Sequence, residues 1–184
     1  MRIFRPIKTN LLTQGFYENK NPIYKQVGML YHGGTDFLAS DNEPIYFDCS
    51  IAGFVLNTEI DRHGGLGVNI ITENEDGIFK HRYWHLKSFK VKAGDKVESG
   101  DLIGYCDNTG YSTGTHLHRD SKEMTKDLNG AYKIKYPDNG TFGTIDYSKW
   151  FKNIFVKDYM ANLESQISIY QKIIELLKNF FKGR

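Results

Sequence analysis

Apolar and polar positions alternate through most of the first 120 residues, in short runs punctuated by glycine. "EPIYFDCSIAGFVLNTEI" (43–60) alternates on both sides of Gly53, the pattern of two half-buried strands meeting at a bend. "HGGLGVNIITENEDGIFKHRYWHL" (63–86) reads as a hairpin, with "VNIIT" and "IFKHRYWHL" flanking the polar turn "ENEDG". "KVKAGDKVESGDLIGYCDNTG" (90–110) places Gly or Gly-Asp at short, regular intervals, as tight turns in a compact sheet require. No helical period precedes residue 150. The pattern therefore predicts a mainly β protein with a compact antiparallel sheet core.

Beyond residue 120 the pattern changes twice. Residues 122–148 are polar and rich in Gly and Asn, with turn signals "LNG" and "DNG", and read as a long surface loop or insertion with room for a hairpin. "YSKWF" (147–151) closes the globular part. In the tail, Leu163, Ile167, Tyr170, Ile174, Leu177 and Phe181 follow the alternating four-and-three spacing of an a/d seam, which Ile173, Leu176 and Phe180 widen. We expect a globular unit over 1–153 and an amphipathic helix over 156–183. A stripe that broad needs a cover. Docking on its own domain, self-association, a partner and a membrane surface are the alternatives it leaves open.

Bulk properties narrow the classes. A chain of 184 residues fits one main domain with an appendage, and 25% charged and 40% hydrophobic residues fit a globular protein. A net charge of +2 gives no argument for a nucleic-acid partner. Cys49 and Cys106 form no C-x-x-C pair, so a thiolate zinc site is not expected, and both read as small buried hydrophobes. The N-terminus "MRIFRPIKTN" lacks the apolar stretch of a secretory signal, and no run of about 18 apolar residues occurs. From these residues we expect synthesis in the cytoplasm without a signal peptide.

The candidate chemistry lies in the histidines. In "GTHLHRD" (114–120) a strand would point His116 and His118 to one face and Leu117 to the other. "YHGGTDF" (31–37) offers His32 and Asp36, again on one face of an extended segment, with Gly33 and Gly34 allowing close backbone approach. His32, Asp36 and one histidine of the 116/118 pair would supply two imidazole nitrogens and a carboxylate oxygen. That donor set suits Zn²⁺ with a fourth position left for water. "RYWHL" adds His85, on the face of Tyr83 and His81 if the strand is regular, where an uncoordinated imidazole could move protons or hold an oxyanion. His63, in a Gly-rich turn, and His81 read as structural.

Together these segments resemble the lysostaphin/LytM-type zinc endopeptidases, which cut peptidoglycan cross-links. The resemblance is carried by "HGGTD" (32–36), "YWHL" (83–86) and "GYSTGTHLH" (110–118), in that order, with "VKAGDKVESGDLIG" (91–104) similar to the family's turn ladder. It runs from about "LTQGF" at residue 12 to residue 118, and more weakly to about residue 152. It implies a lysostaphin-like fold of the duplicated hybrid motif type, with a zinc peptidase domain over 1–153. It implies one Zn²⁺ per chain on His32, Asp36 and His118, with His116 as base and His85 as electrophilic helper. The division of labour within "HLH" comes from the resemblance alone. No H-E-x-x-H helix is present, so histidine would have to replace the glutamate base of that other zinc-protease class.

The implied function is hydrolysis of stem or cross-bridge peptide bonds in peptidoglycan. The absent signal makes a phage-type lysin, reaching the wall by host lysis or on a virion, the expected setting. A catalytically inactive wall-binding or regulatory module on the same fold is the alternative, although such a module would be expected to have lost a ligand, and this chain keeps all of them. A biotinyl-type carrier shares the turn ladder but needs an M-K-M tip that is absent. One departure follows "HLH": Arg119-Asp120-Ser121 stands where an aromatic or apolar residue and then small ones are expected. Arg119 falls on Leu117's side of the strand, so it must reach solvent, pair with an acid such as Asp120 or Glu123, or mark an early strand end.

Overall fold

The alternation is realised as twelve strands and one long helix in the computed structural model, which describes residues 1–19 and 22–182. The strands are β1 (Ile3–Arg5), β2 (Leu12–Gln14), β3 (Thr35–Leu38), β4 (Pro44–Tyr46), β5 (Gly53–Asp61), β6 (Gly65–Asn74), β7 (Gly77–Phe89), β8 (Lys96–Val97), β9 (Leu102–Cys106), β10 (His116–Lys126), β11 (Tyr132–Ile134) and β12 (Phe151–Phe155). A single turn of helix, α1 (Ile23–Gln26), interrupts the β region, and α2 (Val156–Lys182) ends the described chain. The main sheet is antiparallel, in the order β2-β3-β10-β7-β6-β5-β8, with β11 on β10 and β9 joining β7 to β4. β1 and β12 form a separate parallel pair.

The turns follow their residues. Between β5 and β6, Asp61 Oδ1 accepts the amides of His63 and Gly64, and Gly65 takes a φ of 69°. In the ladder "VKAGDKVESGDLIG", Asp95 and Asp101 each accept the amide three residues earlier, beside Gly94 and Gly100 at positive φ. The core is one cluster that includes Ile3, Phe37, Phe47, Val68, Ile70, Tyr83, Leu86 and Leu117. Fully burying each aliphatic or Phe side chain is worth roughly 1.5–3 kcal/mol. Cys49 and Cys106 are both buried and free.

Three features refine or depart from the sequence reading. First, β10 runs on to Lys126 and pairs with β11, so the hairpin for which the segment had room forms at its start. Its later part returns alongside β10, with an isolated antiparallel bridge between Lys122 and Thr144. Second, Arg119 neither reaches solvent nor ends the strand, and neither expected acid is its partner. Its side chain is fully buried, with Nε 3.0 Å and Nη2 3.1 Å from the two carboxylate oxygens of Asp48. Tyr83 donates its hydroxyl to the same carboxylate at 2.6 Å, Ser121 accepts from the guanidinium, and the Tyr147 ring lies 4.3 Å from Arg119 Cζ. Asp48 stands 71 residues from Arg119, a pairing no local pattern announces.

Third, His85 leaves the face of Tyr83 and His81. Those two point into the core opposite Arg119 and Ser121, whereas His85 has a φ of 65° and the β7 ladder shifts register just beyond it. The left-handed backbone swings the imidazole to the other side of the sheet. In the tail, α2 begins against the body, with Val156 buried and Tyr159 stacked on Phe4 at 4.2 Å between ring centroids. From Ile167 through Leu177 its apolar residues are exposed. The side chains of Phe180 and Phe181, and residue 183, lie outside the described residues. Among the described residues, no helix is long and apolar enough to cross a membrane.

Candidate metal centre and active site

Antiparallel pairing of β3 with β10 sets Asp36 directly opposite His118, and β7 sets Trp84 on its other side. His32 enters from the loop before β3. Its ring is fixed by a hydrogen bond from Nδ1 to the Gly15 carbonyl at 2.9 Å, which leaves Nε2 facing inward. Gly34 makes room for the cluster, since a Cβ there would lie 2.7 Å from His118 Nε2.

Three atoms converge. His32 Nε2 lies 3.1 Å and His118 Nδ1 2.9 Å from Asp36 Oδ1, and the two nitrogens are 2.9 Å apart. Two ligands of a tetrahedral zinc ion, each at about 2.0–2.1 Å, stand roughly 3.3 Å from one another. The three donors are thus close to the spacing one ion would need, and both their type and their burial fit zinc. Among the described residues this is the one His/Cys/Asp/Glu group whose ligand atoms so converge.

The electrostatics are those of an acid that attracts cations. Burial alone would raise the Asp36 carboxyl, but hydrogen bonds from His118 and His32 hold it well below the usual carboxylate range. Burial alone would lower His118, yet its bonds to Asp120 and Asp36 push it up to about 9.

Two further imidazoles flank the point of convergence. His116 Nδ1 faces the Gly114 carbonyl at 2.8 Å and His85 Nδ1 faces the Thr109 carbonyl at 2.7 Å. A carbonyl only accepts, so each Nδ1 carries the hydrogen and each Nε2 presents a lone pair. His116 Nε2 lies 3.7 Å from Asp36 Oδ1, and the His85 and His116 rings are 4.5 Å apart. Burial above all, and the repulsion that a proton on a neighbouring imidazole would exert, pushes His85 down to about 3.

The five candidate residues thus share the floor of one open cleft of about 900 Å³, which also holds Tyr24, Arg82, Trp84, Tyr111 and Phe142. His63 reaches the same cleft from its rim, where its ring meets Tyr111 edge-on at 5.0 Å. His81 lies apart in the core, between Thr72 and Ser121. Two neighbours of the site escaped the sequence reading. Tyr24 donates to Gln14 at 2.7 Å and is kept protonated by burial and the Asp36 charge, its pKa raised to about 12. Asp120 lies behind His118, two residues along the same strand face, a period-two signal that the motif itself contains.

Comparison with known proteins agrees with this geometry. The profile of Peptidase family M23 matches residues 30–130, more than half of the chain. The chain is 40% identical over 114 residues to an uncharacterized metalloprotease of Buchnera aphidicola subsp. Baizongia pistaciae, a match covering 61% of this chain and 28% of that one. It is 34% identical over 109 residues to lysostaphin of Staphylococcus simulans, covering 59% and 21%. It is 37% identical over 98 residues to the peptidoglycan DD-endopeptidase ShyA of Vibrio cholerae, covering 53% and 21%. Each match spans less than a third of the relative's length. Among solved structures, the lysostaphin catalytic domain from S. simulans superposes with a TM-score of 0.50 at 27% identity, over 67% of this chain and 85% of that one. A zinc-containing peptidase from Vibrio cholerae gives a TM-score of 0.54 at 30% identity, over 65% and 36%.

Proposed function

Because the chain belongs to Peptidase family M23, of the lysostaphin/LytM type, we propose that it is a zinc-dependent endopeptidase that hydrolyses peptide bonds in peptidoglycan. The observation that carries this reading is the convergence of His32 Nε2, Asp36 Oδ1 and His118 Nδ1 within about 3 Å of one another, on the cleft floor beside two imidazoles with free lone pairs. His32, Asp36 and His118 would hold one zinc ion. When bound, zinc supplies a Lewis acid for the scissile carbonyl and lowers the pKa of water from 15.7 toward about 7.

The remaining steps belong to the chain. The Gly15 carbonyl fixes His32, and the β3–β10 register fixes Asp36 against His118. His116 is the base: its Nε2 takes the proton of the attacking water and returns it to the leaving amine. His85 faces the developing oxyanion. Its Nε2, once protonated from solvent, would donate a hydrogen bond to that oxygen. Trp84 and Phe142 give the cleft apolar walls that narrow water's access.

The test is digestion of purified walls of several cross-link types by zinc-loaded and chelator-treated protein, with the fragments identified by mass. Release of new amino termini that stops with chelator is expected. A zinc-loaded protein that clears none of the walls would end the reading. His116→Ala should lower kcat by about 10²–10⁴-fold while zinc content stays at one per chain. The wall setting and the lysin role belong to the same proposal, and adding the protein to intact cells addresses them.

A further inference from the structure

Asp120 is fully buried on the face of β10 that carries His118, and no solvent competes for its carboxylate. Its Oδ2 lies 3.1 Å from His118 Nε2, the ring nitrogen that points away from Asp36 and His32. Its Oδ1 accepts from Arg82 Nε at 2.7 Å. Arg82 stands opposite Asp120 on β7, with its guanidinium carbon 5.5 Å from the centre of the Trp84 ring, so it is held between an acid and an indole. Arg119, next in sequence, does not compete for Asp120, because it faces the core and bonds Asp48.

A neutral imidazole carries one hydrogen, and an ionised carboxylate can only accept. A carboxylate facing Nε2 therefore places the hydrogen there and leaves the lone pair on Nδ1. That lone pair points to the spot where His32 and Asp36 meet. The Arg82 guanidinium, whose Nε lies 2.7 Å from Oδ1, occupies the other carboxylate oxygen and leaves Oδ2 free to accept from His118.

We propose that Asp120, anchored by Arg82, is a positioning residue. It fixes His118 in the orientation and tautomer that direct Nδ1 at the shared point of the His32–Asp36–His118 cluster, and thereby sets how tightly that cluster holds its metal. The inference rests on the zinc reading above. It gives the departure after "HLH" a second meaning: the same three residues that bury an arginine in the core also bring an acid behind the ligand.

Zinc affinity, measured by competition with a chromogenic chelator, tests it. The wild type should bind one zinc per chain. Asp120→Ala should bind about 10–100-fold more weakly, and Asp120→Asn, whose amide oxygen still accepts from Nε2, should fall between the two. Since Asp120→Ala leaves Arg82 without its acid, the apolar pair Arg82→Met/Asp120→Leu removes the acceptor without stranding a charge, and should weaken zinc to the same degree. Circular dichroism of the metal-free proteins confirms that each is folded. In zinc-loaded ¹⁵N-labelled protein, the slowly exchanging Nε2 proton of His118 should be present in the wild type and lost in Asp120→Ala and in the apolar pair. A simple structural ion pair would leave that resonance and the affinity unmoved. A folded Asp120→Ala, or a folded apolar pair, with zinc affinity within twofold of wild type and an unchanged His118 tautomer overturns this inference alone. A wild-type chain that takes up no zinc overturns the metal reading and this inference with it.

Discussion

His118 and Arg119 are neighbours on one strand, yet the charged clusters they enter are resolved in opposite ways. On the core side, Arg119 meets a carboxylate that answers it in full: Asp48 takes two of its bonds, and Tyr83, Ser121 and Tyr147 occupy what remains. Charge is balanced there by residues the chain always carries. On the cleft side, Asp36 has imidazoles around a single oxygen, and no arginine or lysine is paired with it among the described residues. Its positive counterpart must come from a proton or an ion. A buried cluster that closes its own charge is architecture, and one that leaves a charge open is a receptor.

Breaking each side should therefore give different losses. Asp36→Ala removes the hub of the open cluster. Wall hydrolysis should fall by more than about 10⁴-fold, beyond a general base's usual contribution, with zinc uptake lost and the melting temperature of the metal-free protein little changed. Comparable melting loss and activity loss would erase the distinction. Arg119→Ala breaks the closed cluster and strands Asp48 in the core. It should cost about 3–5 kcal/mol in urea unfolding, while the protein that remains folded keeps its zinc stoichiometry. Replacing both partners, as Arg119→Met/Asp48→Leu, should recover most of that loss. If the double replacement is as damaging as the single one, the core cluster is not acting as a self-contained pair.

The smallest effect sharpens the comparison through pH. His81 belongs to the closed side, where burial and then the Arg119 charge hold its pKa well below the ordinary histidine value. The unfolded chain therefore binds a proton near pH 6.5 that the folded chain refuses, so stability rises with pH through that range and falls below it. Between pH 6.5 and 5 this histidine alone should cost about 2 kcal/mol. His81→Gln should flatten the acid limb of the stability curve by that amount relative to wild type. An unchanged limb would mean that His81 is charged in the fold.

What could be read beforehand follows the range over which each force acts. Period-two alternation is local, so the strands, the shared face of His116 and His118 and the opposite placement of Leu117 were visible in the sequence. The Asp95 and Asp101 turns were visible for the same reason. The long helix showed in its 3.5-residue seam. The Asp48–Arg119 pair was not visible, because nothing near either residue marks the other. The side on which His85 emerges was also hidden, since alternation assumes an unbroken strand and the break lies in a single backbone angle. The single turn at Ile23–Gln26 is too short to show a period.

That backbone angle at His85 has a consequence for how the sequence would drift under different demands. A side chain in the left-handed region costs of order 1–3 kcal/mol, a cost that glycine escapes. On stability alone, position 85 should surrender its imidazole. A library of variants sorted by survival of heating would be expected to enrich glycine there, and the same library sorted by growth-medium halos on wall-containing plates would be expected to restore histidine. Where those two selections disagree along the chain, the map of disagreement is itself a picture of what the molecule is for.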